Sequence, residues 1–159
     1  MRNGGKIKML SKPYAGWSDF QLEGTGKYEL SYLDDIAFEW VEQAIHGLET
    51  LKPFCVKGFM EPGRCLCLVS YWNCHIICEQ DGREVQDGVG LSYSHTSMID
   101  FCRYLYDDIT ENIDEWVSFV SYENFDFDEK KKRLESSLEK LKELLEKRTS
   151  YFNEHSCFL

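Results

Sequence analysis

A chain of 159 residues, 43% apolar and 29% charged, is long enough to bury a sizeable core and too apolar to remain disordered. Its formal net charge is −10, from 28 acidic and 18 basic residues; this argues against direct binding to nucleic acid or an anionic membrane and favours a basic protein partner. No apolar run of about 18 residues occurs, so no membrane-spanning helix is expected.

Residues 1–16, with Gly4-Gly5, Pro13 and Gly16, read as an irregular arm. Strands are expected at Asp19 to Glu23 and Tyr28 to Tyr32, joined by Gly24-Thr25-Gly26. In the second, Tyr28, Leu30 and Tyr32 alternate with Glu29 and Ser31, the period of a half-buried strand. Asp34 or Asp35 offers an N-cap for a helix over residues 35–50, whose Ala37, Val41, Ala44, Ile45 and Leu48 form one stripe. Pro53 stops it.

Residues 54–93 are β-rich. Phe54 to Met60 reads as a strand, followed by a turn at Glu61-Pro62-Gly63-Arg64. Cys65 to Tyr71 and Asn73 to Glu79 read either as two strands broken near Trp72-Asn73 or as one long bulged strand, and the lack of a glycine turn between them favours the bulged strand. Gln80-Asp81-Gly82-Arg83 is a two-residue hairpin signal, and a weaker strand follows from Glu84 to Ser92. A long helix then begins at Thr96 or Ser97, with Ser97 and Asp100 imitating a capping box. Met98, Cys102, Leu105, Ile109, Ile113, Trp116 and Val120 mark its buried stripe. A last amphipathic helix is expected over residues 128–150, with Leu134, Leu138, Leu141 and Leu145 as a narrow apolar seam. The fold class is therefore α+β: one domain over residues 1–159, with an antiparallel sheet of four to six strands, helices packed on one face and a long C-terminal helix.

Seven cysteines occur: Cys55, Cys65, Cys67, Cys74, Cys78, Cys102 and Cys157. The number is odd, and Met1 to Leu10 does not read as a secretory h-region; reduced thiols and a cytoplasmic location are expected. Cys65-x-Cys67 with Cys74-x-x-x-Cys78 offers four thiolates as a zinc set, but the spacing differs from the knuckles that usually curl around zinc. Small apolar core residues are the simpler reading of the four, and no cofactor is expected. His75 beside Cys74 suggests a nucleophile and base, yet a regular strand sends them to opposite faces.

Charge is uneven along the chain. Residues 1–27 carry five basic and two acidic residues, and residues 97–127 carry one basic and eight acidic. Within 104–115, Asp107, Asp108, Glu111, Asp114 and Glu115 face no basic residue in the same stretch, and like charges four apart on a helix destabilise it. That cost points to a basic partner surface. Asp107, Asp108, Glu111 and Asp114 are the candidate contacts, with Tyr104, Tyr106 and Tyr122 as aromatic anchors.

The run Leu30-Ser31-Tyr32-Leu33-Asp34-Asp35 before a helix, then an antiparallel sheet, then Tyr106-Asp107-Asp108-Ile109 and Glu115-Trp116, resembles bacterial immunity proteins that neutralise polymorphic or contact-dependent toxins. The resemblance implies a non-enzymatic binding protein that masks the active surface of a basic toxin, for instance a nuclease domain. Two further readings stand beside it. One is a thiol- or zinc-dependent enzyme centred on Cys65, Cys67, Cys74 and Cys78. The other is an adaptor that forms a homodimer through residues 128–150.

Overall fold

The computed structural model describes residues 8–85, 92–120 and 124–155. Trp17–Phe20 (β1) and Tyr28–Ser31 (β2) form a two-stranded antiparallel ribbon. Phe54–Phe59 (β3), Arg64–Val69 (β4), Cys74–Gln80 (β5) and Arg83–Val85 (β6) follow one another across a five-stranded antiparallel sheet, and Tyr93–Ser94 (β7) also pairs with β5. The helices are Ile36–Thr50 (α1), Met98–Glu111 (α2), Ile113–Val117 (α3) and Phe127–His155 (α4). The fold is α+β, as the alternation of patterns predicts.

The core lies between the inner sheet face and the helices. Trp40 is its centre: its ring meets Phe20 edge-on at 5.1 Å and stacks on Phe101 at 6.1 Å. The Trp40 indole N–H donates to the Lys57 carbonyl at 2.8 Å, which ties α1 to the edge strand β3. A buried indole needs such a partner, and the edge of a sheet has spare carbonyls to offer. Gly47 lets the two elements close: a Cβ there would lie 2.3 Å from the Phe54 ring.

Several expectations are corrected. Cys65 to Glu79 is two strands, because residues 70–73 close a hairpin in which the Ser70 N–H donates to the Asn73 carbonyl at 2.9 Å. Tertiary contacts hold this turn in place of glycine chemistry. The Tyr71 hydroxyl donates to the Leu51 carbonyl, the Tyr71 carbonyl accepts from Met98 N–H, and Trp72 packs on Phe152. The long helix from Ser97 breaks at Asn112, with φ −129° and ψ 45°, although Trp116 and Val120 beyond the break stay buried. The first strand lies earlier, at Trp17–Phe20, and α4 runs on to His155. The arm is not merely irregular: Met9 and Leu10 are fully buried, and Leu10 bridges Phe20. Most of the expected strand Glu84 to Ser92 lies outside the described residues.

Other local readings hold. Ser97 caps α2 by accepting from Asp100 N–H at 3.2 Å. Asp81 and Gly82 both take positive φ, 53° and 74°, as a two-residue hairpin of the primed type requires. Asp35 occupies the N-cap of α1 without a side-chain cap bond, because its carboxylate pairs with Lys130 at 3.0 Å. The Lys130 ammonium sits over the rings of Phe38 and Phe125. No helix among the described residues is long and apolar enough to cross a membrane.

Candidate binding surface

The acidic stretch of α2 and α3 is largely neutralised within the chain. Lys8 pairs with Glu111, Lys12 with Glu115 at 3.4 Å, and Lys131 with Asp114 at 2.8 Å. The Asp114 hydrogen bond raises the pKa of Lys131. Asp108 is not a surface contact: it is 0% exposed. One of its carboxylate oxygens accepts from Met9 N–H at 2.8 Å and from Leu10 N–H at 3.0 Å, docking the arm on α2. The basic partner that the sequence calls for is therefore met in part by the chain's own arm. Tyr104 and Tyr106 are half-buried against the core, and Asp107 and Glu111 are the acids of the proposed set on α2 that reach the surface. Tyr122 lies outside the described residues.

The four zinc candidates share the inner face of β4 and β5 but separate into two pairs. Cys65 stands opposite Cys78 in register, whereas Cys67 and Cys74 are diagonal neighbours joined by a hydrogen bond. That bond and burial push the Cys67 thiol well above its usual pKa. Among the described residues no three His, Cys, Asp or Glu side chains converge as metal ligands. His75 is exposed on the opposite face from buried Cys74, so the suggested nucleophile and base are separated. The apolar seam of α4 is also occupied: Leu134 and Leu141 are fully buried where α4 packs on α1 and α2, so the expected dimer contact is used inside the chain.

The outer face of the sheet carries a different set. Alternation puts Cys55 and Lys57 of β3, Leu66 and Leu68 of β4, and His75 and Ile77 of β5 on the side away from the core. Leu68 is 44% exposed opposite exposed His75. Tyr93 adds an aromatic anchor, with its ring 4.9 Å from both His75 and His95. Arg64 and Glu79 close one end of the face with an ion pair at 2.8 Å.

At the β3 edge this face runs into a groove of about 460 Å³ beneath α1, floored by Trp40, Val56 and Leu66 and rimmed by Glu39 and Glu42. Burial, and next the neighbouring Asp34 charge, hold the Glu39 pKa above its usual value. Lys57 lies at the rim, bound to Asp34 at 3.2 Å. The groove thus joins an apolar floor to crowded negative charge, an arrangement that suits the stem and head of a basic side chain.

Comparison with protein-family models, with curated proteins and with solved structures finds no match to this chain. The geometry alone therefore carries the functional argument. The outer-face residues left a sequence trace in Arg64-Cys-Leu-Cys-Leu-Val69, where both alternating sets are apolar. A strand facing plain solvent on one side would alternate apolar with polar residues.

Proposed function

We propose that this chain is a non-enzymatic binding module that masks a basic surface of another protein, in the manner of the toxin-neutralising immunity proteins its sequence resembles. Contact runs over the outer face of β3, β4 and β5 and the carboxylate rim of α1, in place of the α2 patch. The observation that supports this reading is Leu68, 44% exposed at the middle of an open sheet face next to the groove rimmed by Glu39 and Glu42. Exposed apolar area beside unbalanced charge is the usual make-up of a binding hot spot and its rim. The net charge of −10 speeds encounter with a basic partner.

The test is capture by the tagged full chain at low salt, compared among three variants. A basic protein held in near-equal amount should be lost from Leu68→Arg, and should associate more slowly with Glu39→Lys/Glu42→Lys. The partly exposed Asp107→Lys should retain it. Capture unchanged by Leu68→Arg and by the double charge reversal, with loss on Asp107→Lys, would return the contact to α2 and refute the outer-face assignment.

A further inference from the structure

We infer that Cys65 and Cys78 form an oxidisable pair that closes to a cross-strand disulfide when the chain meets a peroxide. The two residues are direct partners across β4 and β5. The kind of pairing follows from the ladder. Ser70 N–H donates to the Asn73 carbonyl at 2.9 Å, so residues 70 and 73 are a hydrogen-bonded pair. Antiparallel pairs alternate in type, and five steps along the ladder Cys65 and Cys78 are a non-hydrogen-bonded pair. Two other bonds agree. Ile76 N–H donates to Ser92 on the β7 side, so the even-numbered backbone of β5 turns away from β4. Met60 N–H donates to the Gly63 carbonyl, which turns the backbone of Cys65 towards β3. Non-hydrogen-bonded partners have Cα atoms about 4.5 Å apart with side chains drawn together. That lies within the roughly 4.4–6.8 Å that a disulfide spans.

Access decides the order of steps. Cys78 is partly buried at the edge of the core, whereas Cys65 is 2% exposed. The Cys78 thiolate attacks one peroxide oxygen; the O–O bond breaks, hydroxide leaves, and Cys78 becomes a sulfenic acid. The Cys65 sulfur then attacks the Cys78 sulfur; the S–O bond breaks, and the hydroxyl departs as water with the Cys65 proton. Two thiols and one hydrogen peroxide give one disulfide and two waters. The sulfurs are oxidised and the peroxide oxygens reduced. The deeper thiols are poor competitors: burial raises the pKa of Cys102, and the Cys74 bond with burial raises that of Cys67, so both stay protonated.

The experiment treats the folded full chain with hydrogen peroxide, blocks remaining thiols with N-ethylmaleimide and maps the links by mass spectrometry. No Lys or Arg lies between Arg64 and Arg83, so trypsin would leave all four cysteines on one peptide. Chymotrypsin, cutting after Tyr71 and Trp72, separates the two halves. The expected result is a loss of two hydrogen masses, a Cys65–Cys78 link with Cys67 and Cys74 alkylated, and reversal by dithiothreitol. Circular dichroism should stay native throughout. Cys65→Ser should leave Cys78 as a sulfenic acid that dimedone traps, and Cys78→Ser should form no link. A wild-type chain that gives a dimedone adduct at Cys78 without a link would overturn the inference, as would a link between any other pair.

Discussion

Replacing Asp108 tests whether the acidic helix serves the fold or a partner. In the fold, one Asp108 oxygen receives the N–H groups of Met9 and Leu10, and all three residues are fully buried. Hydrogen bonds to a charged acceptor are worth about 1.5–3 kcal/mol each, and a buried donor left unmade costs a similar amount. Asp108→Ala removes both bonds at once and should cost about 3–6 kcal/mol. That is a large part of the roughly 5–15 kcal/mol a domain has. At about 2–4 °C per kcal/mol for a chain of this size, Tm should fall by roughly 6–24 °C. Asp108→Asn keeps a carbonyl oxygen where both donors point and should stay within about 1.5 kcal/mol of the parent. Urea denaturation followed by tryptophan fluorescence measures both variants, and hydrogen exchange at Met9 and Leu10 reports whether the arm has come loose. An alanine variant costing under about 1 kcal/mol, or an asparagine variant as damaging as alanine, would refute the anchoring argument.

Three further outcomes follow from the same structure. Glu39 has a folded pKa above its unfolded value, so its own contribution to stability is most favourable when it is protonated and declines as pH rises through that interval. Glu39→Gln should therefore melt higher than the parent at pH 7 and show no advantage below about pH 4. Gly47→Ala would normally stabilise a helix interior by about 0.5–1 kcal/mol. Here the new Cβ would meet the Phe54 ring at 2.3 Å, so the thermal midpoint should drop instead. Lys8→Ala/Lys12→Ala breaks two exposed pairs, Lys8–Glu111 and Lys12–Glu115, and should cost no more than about 1 kcal/mol each in the same denaturation assay.

The fold was legible where the signal was local. The stripe of Ala37, Val41, Ala44 and Leu48, the Ser97 cap and the Asp81-Gly82 turn each depend on residues a few positions apart, and the structure has them. The hairpin between β4 and β5 was not legible, because its turn carries Tyr71 and Trp72 and draws its stability from Leu51, Met98 and Phe152, all distant in sequence. The break at Asn112 was hidden in the same way, since the apolar period of three and four runs on through Trp116.

The site was harder to read because charge is a long-range quantity. Five carboxylates without a cation between residues 104 and 115 are a local imbalance that, taken alone, points to relief from another molecule. The fold supplies much of that relief from about 100 residues away: Lys8 reaches Glu111, Lys12 reaches Glu115, and the arm's amides reach Asp108. A charge run therefore argues for a partner only after the chain's own opposite charges have been placed. By that standard the stronger argument moves to Glu39, at the rim of an apolar groove, whose pKa is raised first by burial and then by the neighbouring Asp34 charge, with Lys57 offsetting part of the shift. A cation bound there from outside would lower that pKa and be held more tightly as pH rises through it. Binding through α2, whose carboxylates pair within the chain, has no reason to follow the titration of Glu39.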